Sequence, residues 1–230
     1  MNQIKVLDEG YVRLVDTLGS DLSIVNAARV SYDKETSEFG ERDERLIKFL
    51  LREGHTSPFR HAAFTFEVYA PLFVARQWWK YAVASTHVDE QNGWNESSRR
   101  YITEDEKFYV PLPNEWRSAP ENSKQGSGEP VDEELGGFYF DKLIQTIASG
   151  TSLYHQAIDD GIAPEIARLF LPAYGMYVRW RWTVSLQGVL TFLEQRMPHD
   201  AQKEIQDYAF AVKDLAHAAF PETFKALHEE

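Results

Sequence analysis

Two short stretches hold the residue types that could do chemistry. Arg76-Gln77-Trp78-Trp79-Lys80-Tyr81 and Asn95-Glu96-Ser97-Ser98-Arg99-Arg100-Tyr101 gather cations, hydroxyls, a carboxylate and large aromatic faces into one region. Guanidinium groups bind phosphate bidentately, and aromatic faces stack on flat rings. The whole chain carries a net charge of -12, so clustered arginines are no by-product of composition. The pattern predicts a site for a nucleotide-like anion.

On a helix, Arg76 and Lys80 lie one turn apart and share a face, with Gln77 and Tyr81 on the neighbouring one. Taken alone, this helix reads as a solvated face with Trp78 and Trp79 turned to the core. The second cluster downstream shifts that balance. Ser98, Arg99 and Arg100 can offer a hydroxyl and two guanidiniums to one phosphate. Glu96 can orient an arginine or accept from a ring N–H. Ser98 has no base beside it in the sequence and is a weak nucleophile candidate.

Gly54 to His61 ends one helix and enters a strand. His55 and His61 have a spacing that metal sites use, but no third ligand stands out, and no metal is predicted. Arg168 closes a short helix. Arg196 ends another, where a cation also complements the helix dipole. On that second helix Gln187 and Thr191 form an i, i+4 polar stripe. Leu186, Val189, Leu190 and Leu193 cover the other side. No glycine-rich phosphate loop of either common type is present.

The elements that must position these groups fit within 230 residues, of which 43% are apolar and 13% aromatic, with six Trp. The acidic balance argues against a nucleic-acid binder or a membrane-surface protein, which need broad basic faces. With no cysteine, disulfides, thiolate catalysis and Cys-ligated metals are excluded. No signal peptide opens the sequence and no apolar run is long enough to span a bilayer, so a cytoplasmic protein is expected. Ile4-Leu7 and Tyr11-Val15 read as a strand pair about Asp8-Glu9-Gly10. Ser20 or Asp21 caps a helix to about Val30. Glu41 to Glu53 is a helix stopped by Gly54. Ala63-Val68 alternates as a strand, and Pro71 opens the Leu72-Tyr81 helix. Residues from about Thr103 to Val131 read as a long loop, either a lid or an interface arm. Glu133 to Asp160 is helical, with Phe138, Leu143, Ile144, Ile147 and Leu153 as core candidates. Pro164 opens a short helix. Met176-Val184 alternates as a strand, Ser185 caps the helix to Arg196, and a last helix runs from about Asp200 to Ala218. The order favours α+β in one domain over residues 1-230.

The sequence resembles the flavin-dependent thymidylate synthases over nearly its whole length. The anchors are Asn26 to Ser31, Gly54-His55 through His61, Phe73 to Trp78, Asn95-Glu96 through Tyr101, Ala167-Arg168 with Leu171-Pro172, and Trp182-Thr183-Val184. His199, Ala201, Glu204 and Ile205 fit the family's final helix. The resemblance implies a central, mostly antiparallel sheet with surrounding helices, assembled as a homotetramer with active sites between subunits. It implies C5-methylation of dUMP, with methylenetetrahydrofolate giving the carbon, NADPH the reducing equivalents and FAD carrying the hydride. The lack of cysteine agrees, because this family needs no cysteine nucleophile.

Carried over by position, Gln77, Trp78, Trp79, Lys80, Glu96, Ser97, Ser98, Arg99 and Arg100 line the dUMP site. Arg168 helps hold the nucleotide. Arg196 contacts the uracil and favours ionisation at N3, and Arg196 and Ser98 are the catalytic candidates. His55, Ser57, Lys80, Tyr81, Ala82, Glu96, Ser185, Gln187 and Thr191 fall at flavin-contacting positions. The sequence departs from the family at two places. Lys80-Tyr81-Ala82 stands where the signature has Arg-His-Arg, with an insertion at His87 to Trp94 before Ser98. Ser185-Leu186-Gln187 stands for Asn-x-Arg. Two alternatives follow: a C5-methylase of UMP or another pyrimidine nucleotide, and a noncatalytic nucleotide-binding homologue that lost the flavin.

Overall fold

The computed structural model describes residues 2–30, 34–84, 94–96, 106–121 and 126–228, with backbone alone at 82–84, 94–96 and 228. Five strands form one antiparallel sheet: β1 (Gln3–Val6), β2 (Gly10–Leu18), β3 (Ala63–Pro71), β4 (Trp94–Glu96) and β5 (Tyr177–Ser185), in the order β1-β2-β3-β5-β4. Alternation along β3, and along β5 from Trp180 to Val184, makes the sheet two-faced. Their register pairs Phe64 with Val184, Phe66 with Trp182 and Val68 with Trp180, and these six are buried on one face. The other face carries Thr65, Glu67 and Tyr69 opposite Thr183, Arg181 and Arg179. There Glu67 accepts from the Tyr11 hydroxyl at 3.0 Å and pairs with Arg13 at 2.8 Å and Arg181 at 3.1 Å.

The described helices are α1 (Asp21–Arg29), α2 (Glu41–Arg52), α3 (Leu72–Trp78), α4 (Glu133–Asp159), α5 (Pro164–Ala167), α6 (Leu186–Arg196), α7 (Lys203–Ala219) and α8 (Pro221–His228), and α3, α6 and α7 pack against the sheet. The α+β class with a central antiparallel sheet agrees with the expectation. Trp78 is the hub of the core, packing against Trp180, Trp182, Phe192 and Tyr208 with centroids 4.5–6.2 Å apart.

Two expectations change. The apolar stripe of α4 does not enter this core. Phe138, Ile144 and Leu153 are exposed, while Leu143 and Ile147 are half-buried beside a surface cleft. The helix is amphipathic, but part of its apolar face is exposed. The chain also carries a helix beyond the expected last one, α8. Its N-terminus is capped from a distance by Asp21, which accepts from the backbone N–H of Glu222 and Thr223 at 3.0 Å each and from the Thr223 hydroxyl at 2.6 Å. Asp21 thus holds α8, and Ser20 caps α1.

The segment around 103–131 is described in part. Residues 106–121 are tied down: Phe108 bridges Met176, and Arg117 pairs with Glu204 at 2.5 Å. Residues 103–105 and 122–125 lie outside the described residues. Among the described residues no helix is long and apolar enough to cross a membrane.

Candidate active site

Three residues expected on the cofactor side come together. His55, Gln187 and Thr191 line one cleft of about 700 Å³, with Thr56, Leu190, Glu194 and Lys213. Two local devices make this possible. Helix α2 ends at Gly54, whose φ of 65° lets the chain turn back. The His55 N–H bonds Leu50 O at 2.8 Å and the Gly54 N–H bonds Leu51 O at 3.0 Å, closing the helix end and delivering His55 to the cleft. Helix α6 starts at Ser185, whose hydroxyl accepts from the Gly188 N–H at 3.1 Å.

That cap engages the Ser185 hydroxyl. Ser185 is 2% exposed, and its oxygen holds α6 and does not line the cleft. Ser57 also stays out of the lining, where its neighbour Thr56 takes part. On α6, Gln187, Leu190, Thr191 and Glu194 fall at i, i+3, i+4 and i+7 and form one face. The stripe read from Gln187 and Thr191 therefore runs one turn further, to Glu194. Lys213 comes from α7, and its helical pattern gave no hint of this role. Gln187 Nε2 donates to the Thr191 hydroxyl at 3.4 Å, and that hydroxyl donates to Gln187 O at 3.1 Å. Leu50, Phe59 and Phe224 supply the apolar wall. Such a cleft, apolar with a few hydrogen-bonding groups on one side, suits a flat conjugated ring with a polar edge.

The adjoining face of α6 serves a different role. Phe192 and Arg196, one turn apart, both meet Tyr81. The Tyr81 ring stands edge-on to Phe192 at 5.0 Å, and the Arg196 guanidinium carbon lies 5.4 Å from its centroid. Tyr81 is 4% exposed and its hydroxyl donates to Gln195 Oε1 at 2.8 Å. Burial pushes the Tyr81 phenol up, against the opposing pull of Arg196, so it stays a neutral donor. Tyr81, expected at the cofactor, packs against Arg196 and Phe192. Arg196 is half-buried, and among the described residues its Nε is buried with no hydrogen-bond partner.

Trp78, expected on the nucleotide side, lies in the core. At 0% exposure, inside the aromatic hub, it cannot present its ring to a ligand. Trp79 is half-buried, and Arg76 lies over it at 5.7 Å and over Tyr174 at 6.0 Å. Gln77 is half-buried and Lys80 exposed. Arg168 is exposed, with its Nε donating to Glu165 O at 3.1 Å, in a turn that also exposes Ile166, Leu169 and Phe170. Ser97, Ser98, Arg99 and Arg100 lie outside the described residues. For Glu96 and Ala82 the backbone alone is described: Glu96 pairs with Trp180 as the end of β4, and Ala82 follows Tyr81 in a 3-10 turn.

The chain is similar to known proteins. The family model described as Thymidylate synthase complementing protein matches residues 13–222. The flavin-dependent thymidylate synthase of Wolbachia pipientis wMel is 40% identical over 225 residues, covering 98% of this chain and 76% of that protein. That of Thermotoga neapolitana is 38% identical over 224 residues, covering 97% and 93%. Among solved structures, the UMP/dUMP methylase PolB from Streptomyces cacaoi, bound with 5-Br dUMP, is similar with a TM-score of 0.81. It is 28% identical, with 98% of this chain and 97% of that chain covered. A second structure of PolB, bound with 5-Br UMP, has a TM-score of 0.80 at 28% identity, covering 98% and 96%. With its antiparallel sheet, its cleft beside α6 and these relatives, the chain belongs to the flavin-dependent thymidylate synthase family.

Proposed function

We propose that this chain catalyses the reductive C5-methylation of dUMP to dTMP, with methylenetetrahydrofolate as carbon donor, NADPH as reductant and FAD as cofactor. The observation that carries the reading is the meeting of His55, Gln187 and Thr191 on one cleft, from segments far apart in the chain. The cleft fits the cofactor: its apolar wall suits a flat ring, and His55, Gln187 and Thr191 offer hydrogen bonds to a ring edge. Lys213 is a cation in the same lining and suits a diphosphate.

The reaction replaces the C5–H bond of the pyrimidine with C5–CH₃. The C5 proton leaves to solvent, the folate gives a CH₂ unit, and one hydride completes the methyl group. When bound, FAD supplies that hydride, taken from NADPH. Arg196 donates to the pyrimidine edge and stabilises the negative charge that builds on the ring as C5 becomes nucleophilic. A guanidinium already held over Tyr81 needs little reorganisation to do so. Gln77, Trp79, Lys80, Glu96, Ser97, Ser98, Arg99, Arg100 and Arg168 belong to the nucleotide side of this proposal. Lys80 keeps a positive charge without the planar fork of arginine.

UMP is the second reading of the substrate, favoured by the structural likeness to a methylase of both UMP and dUMP. Tritium release from C5-labelled dUMP, with UMP as competitor, separates the two. Release from dUMP unaffected by UMP supports the first reading, and release from UMP itself supports the second. FAD titrated into the protein should give a bound flavin spectrum that bleaches with NADPH.

The same proposal takes residues 1–230 as one cytoplasmic domain that works as a homotetramer. The exposed Phe138, Ile144 and Leu153 of α4, with Leu169 and Phe170, support assembly, since one protomer leaves this apolar surface uncovered. Arg168 shares that surface, so a second copy can bring a site to it. Light scattering should give the mass of four chains.

A further inference from the structure

A line of side-chain hydrogen bonds leads away from Gln77. Gln77 Nε2 donates to Gln202 Oε1 at 2.5 Å, Gln202 Nε2 donates to Glu204 Oε2 at 2.9 Å, and Arg117 Nη2 donates to Glu204 Oε1 at 2.5 Å. The line joins α3, the residues that open α7, and the segment holding Arg117. Its far end is well anchored. Glu204 is 3% exposed, and Arg117 also donates from Nε to the Ser127 hydroxyl at 2.8 Å.

The direction of every bond follows from the far end. Arginine donates and never accepts, and an ionised carboxylate accepts and never donates. Burial raises the Glu204 carboxyl, but the bonds from Arg117, its own backbone N–H and Gln202 outweigh that and hold it below its ordinary value. Glu204 therefore accepts from Gln202, which must turn its NH₂ toward the carboxylate and its oxygen toward Gln77. Gln77 must answer with its own NH₂. An isolated glutamine amide can flip at little cost. Here the flip would set oxygen against oxygen.

We infer that Gln202 and Glu204 are positioning residues that lock the Gln77 amide, so that its carbonyl oxygen is the end left to accept a hydrogen bond from the nucleotide. The matching ligand chemistry is a donor, a ring N–H or a sugar hydroxyl. The inference rests on the reading of Gln77 as a nucleotide-side residue.

The test is a double-mutant cycle on dUMP affinity, read by calorimetry on the FAD-loaded full chain. Gln202→Met should weaken dUMP by about fivefold to tenfold, the scale of one hydrogen bond. In a Gln77→Ala background, the same Gln202→Met change should add nothing. Equal losses in both backgrounds would mean a general structural effect and overturn the inference. Loss on Gln77→Ala with none on Gln202→Met would overturn the positioning role and leave the Gln77 reading standing. No loss on Gln77→Ala would overturn both. Glu204→Gln, which can offer NH₂ and reverse the line, should match Gln202→Met; unchanged affinity there counts against the inference. Repeating the Gln77→Ala comparison with N3-methyl-dUMP and with 2′,3′-dideoxy-UMP identifies the donor. Dependence on Gln77 should vanish with one of the two, and dependence kept with both would overturn the acceptor role.

Discussion

The guanidinium carbon of Arg196 lies 5.4 Å from the centre of the Tyr81 ring. Tyr81 is itself held at both ends, by Phe192 against the ring and by Gln195 at the hydroxyl. At this position the family signature has the histidine of Arg-His-Arg. Tyrosine offers a larger aromatic face and a neutral hydroxyl, so the substitution gives Arg196 a platform to rest on. A cation over an aromatic face gains roughly 0.5–2 kcal/mol.

Tyr81→Leu should therefore lower kcat by about threefold to thirtyfold, while Tyr81→Phe, which keeps the ring, should stay within about twofold. The comparison of the two variants by steady-state kinetics checks it. A loss on Tyr81→Phe equal to that on Tyr81→Leu would assign the effect to the hydroxyl, which meets Gln195 and Arg196, and would contradict the ring platform.

Arg196→Ala should depress kcat far more than dUMP affinity, because the guanidinium acts on charge that develops on the ring. Equal loss in both, measured by turnover and by equilibrium binding, would make Arg196 a simple anchor.

Gly54→Ala tests the turn that delivers His55. The backbone there has φ of 65°, which costs a side-chain-bearing residue about 1–2 kcal/mol. The space around Gly54 is open, so the cost is conformational and not steric. Urea unfolding should show a loss of that size, together with weaker FAD binding.

Acid should weaken the fold through Glu67 and Glu204. Burial raises each carboxyl, but Tyr11, Arg13 and Arg181 at Glu67, and Arg117 and Gln202 at Glu204, leave both below the ordinary 4.5. In the unfolded chain they take up protons near that value, and in the folded chain they resist. Their stabilisation is present above it and is lost as pH falls through the depressed folded values. Melting temperature measured from about pH 6 down to about pH 3 should drop, and the drop should be shallower in Glu67→Gln than in the parent.

Much of this was legible in the sequence because the signals are local. Alternation in Ala63-Val68 and Met176-Val184 marks two central strands, Gly54 marks a helix end, and Ser185 marks a helix start. The rest depends on contacts distant in sequence. Pro221, two residues past the last residue of α7, opens α8, whose cap comes from Asp21 near the other end of the chain. Phe138, Ile144 and Leu153 show helical apolar spacing, but spacing alone does not say whose surface that face meets. The pairing of Gln77 with Gln202 was hidden for the same reason, since neither position hints at the other.

The most direct test of the central claim is product formation from dUMP with FAD, NADPH and methylenetetrahydrofolate. The account predicts a nucleotide heavier by one CH₂ that coelutes with dTMP, with tritium released from C5 in equal amount. A protein that binds dUMP and FAD, yet yields neither product nor tritium from dUMP or UMP, would contradict it.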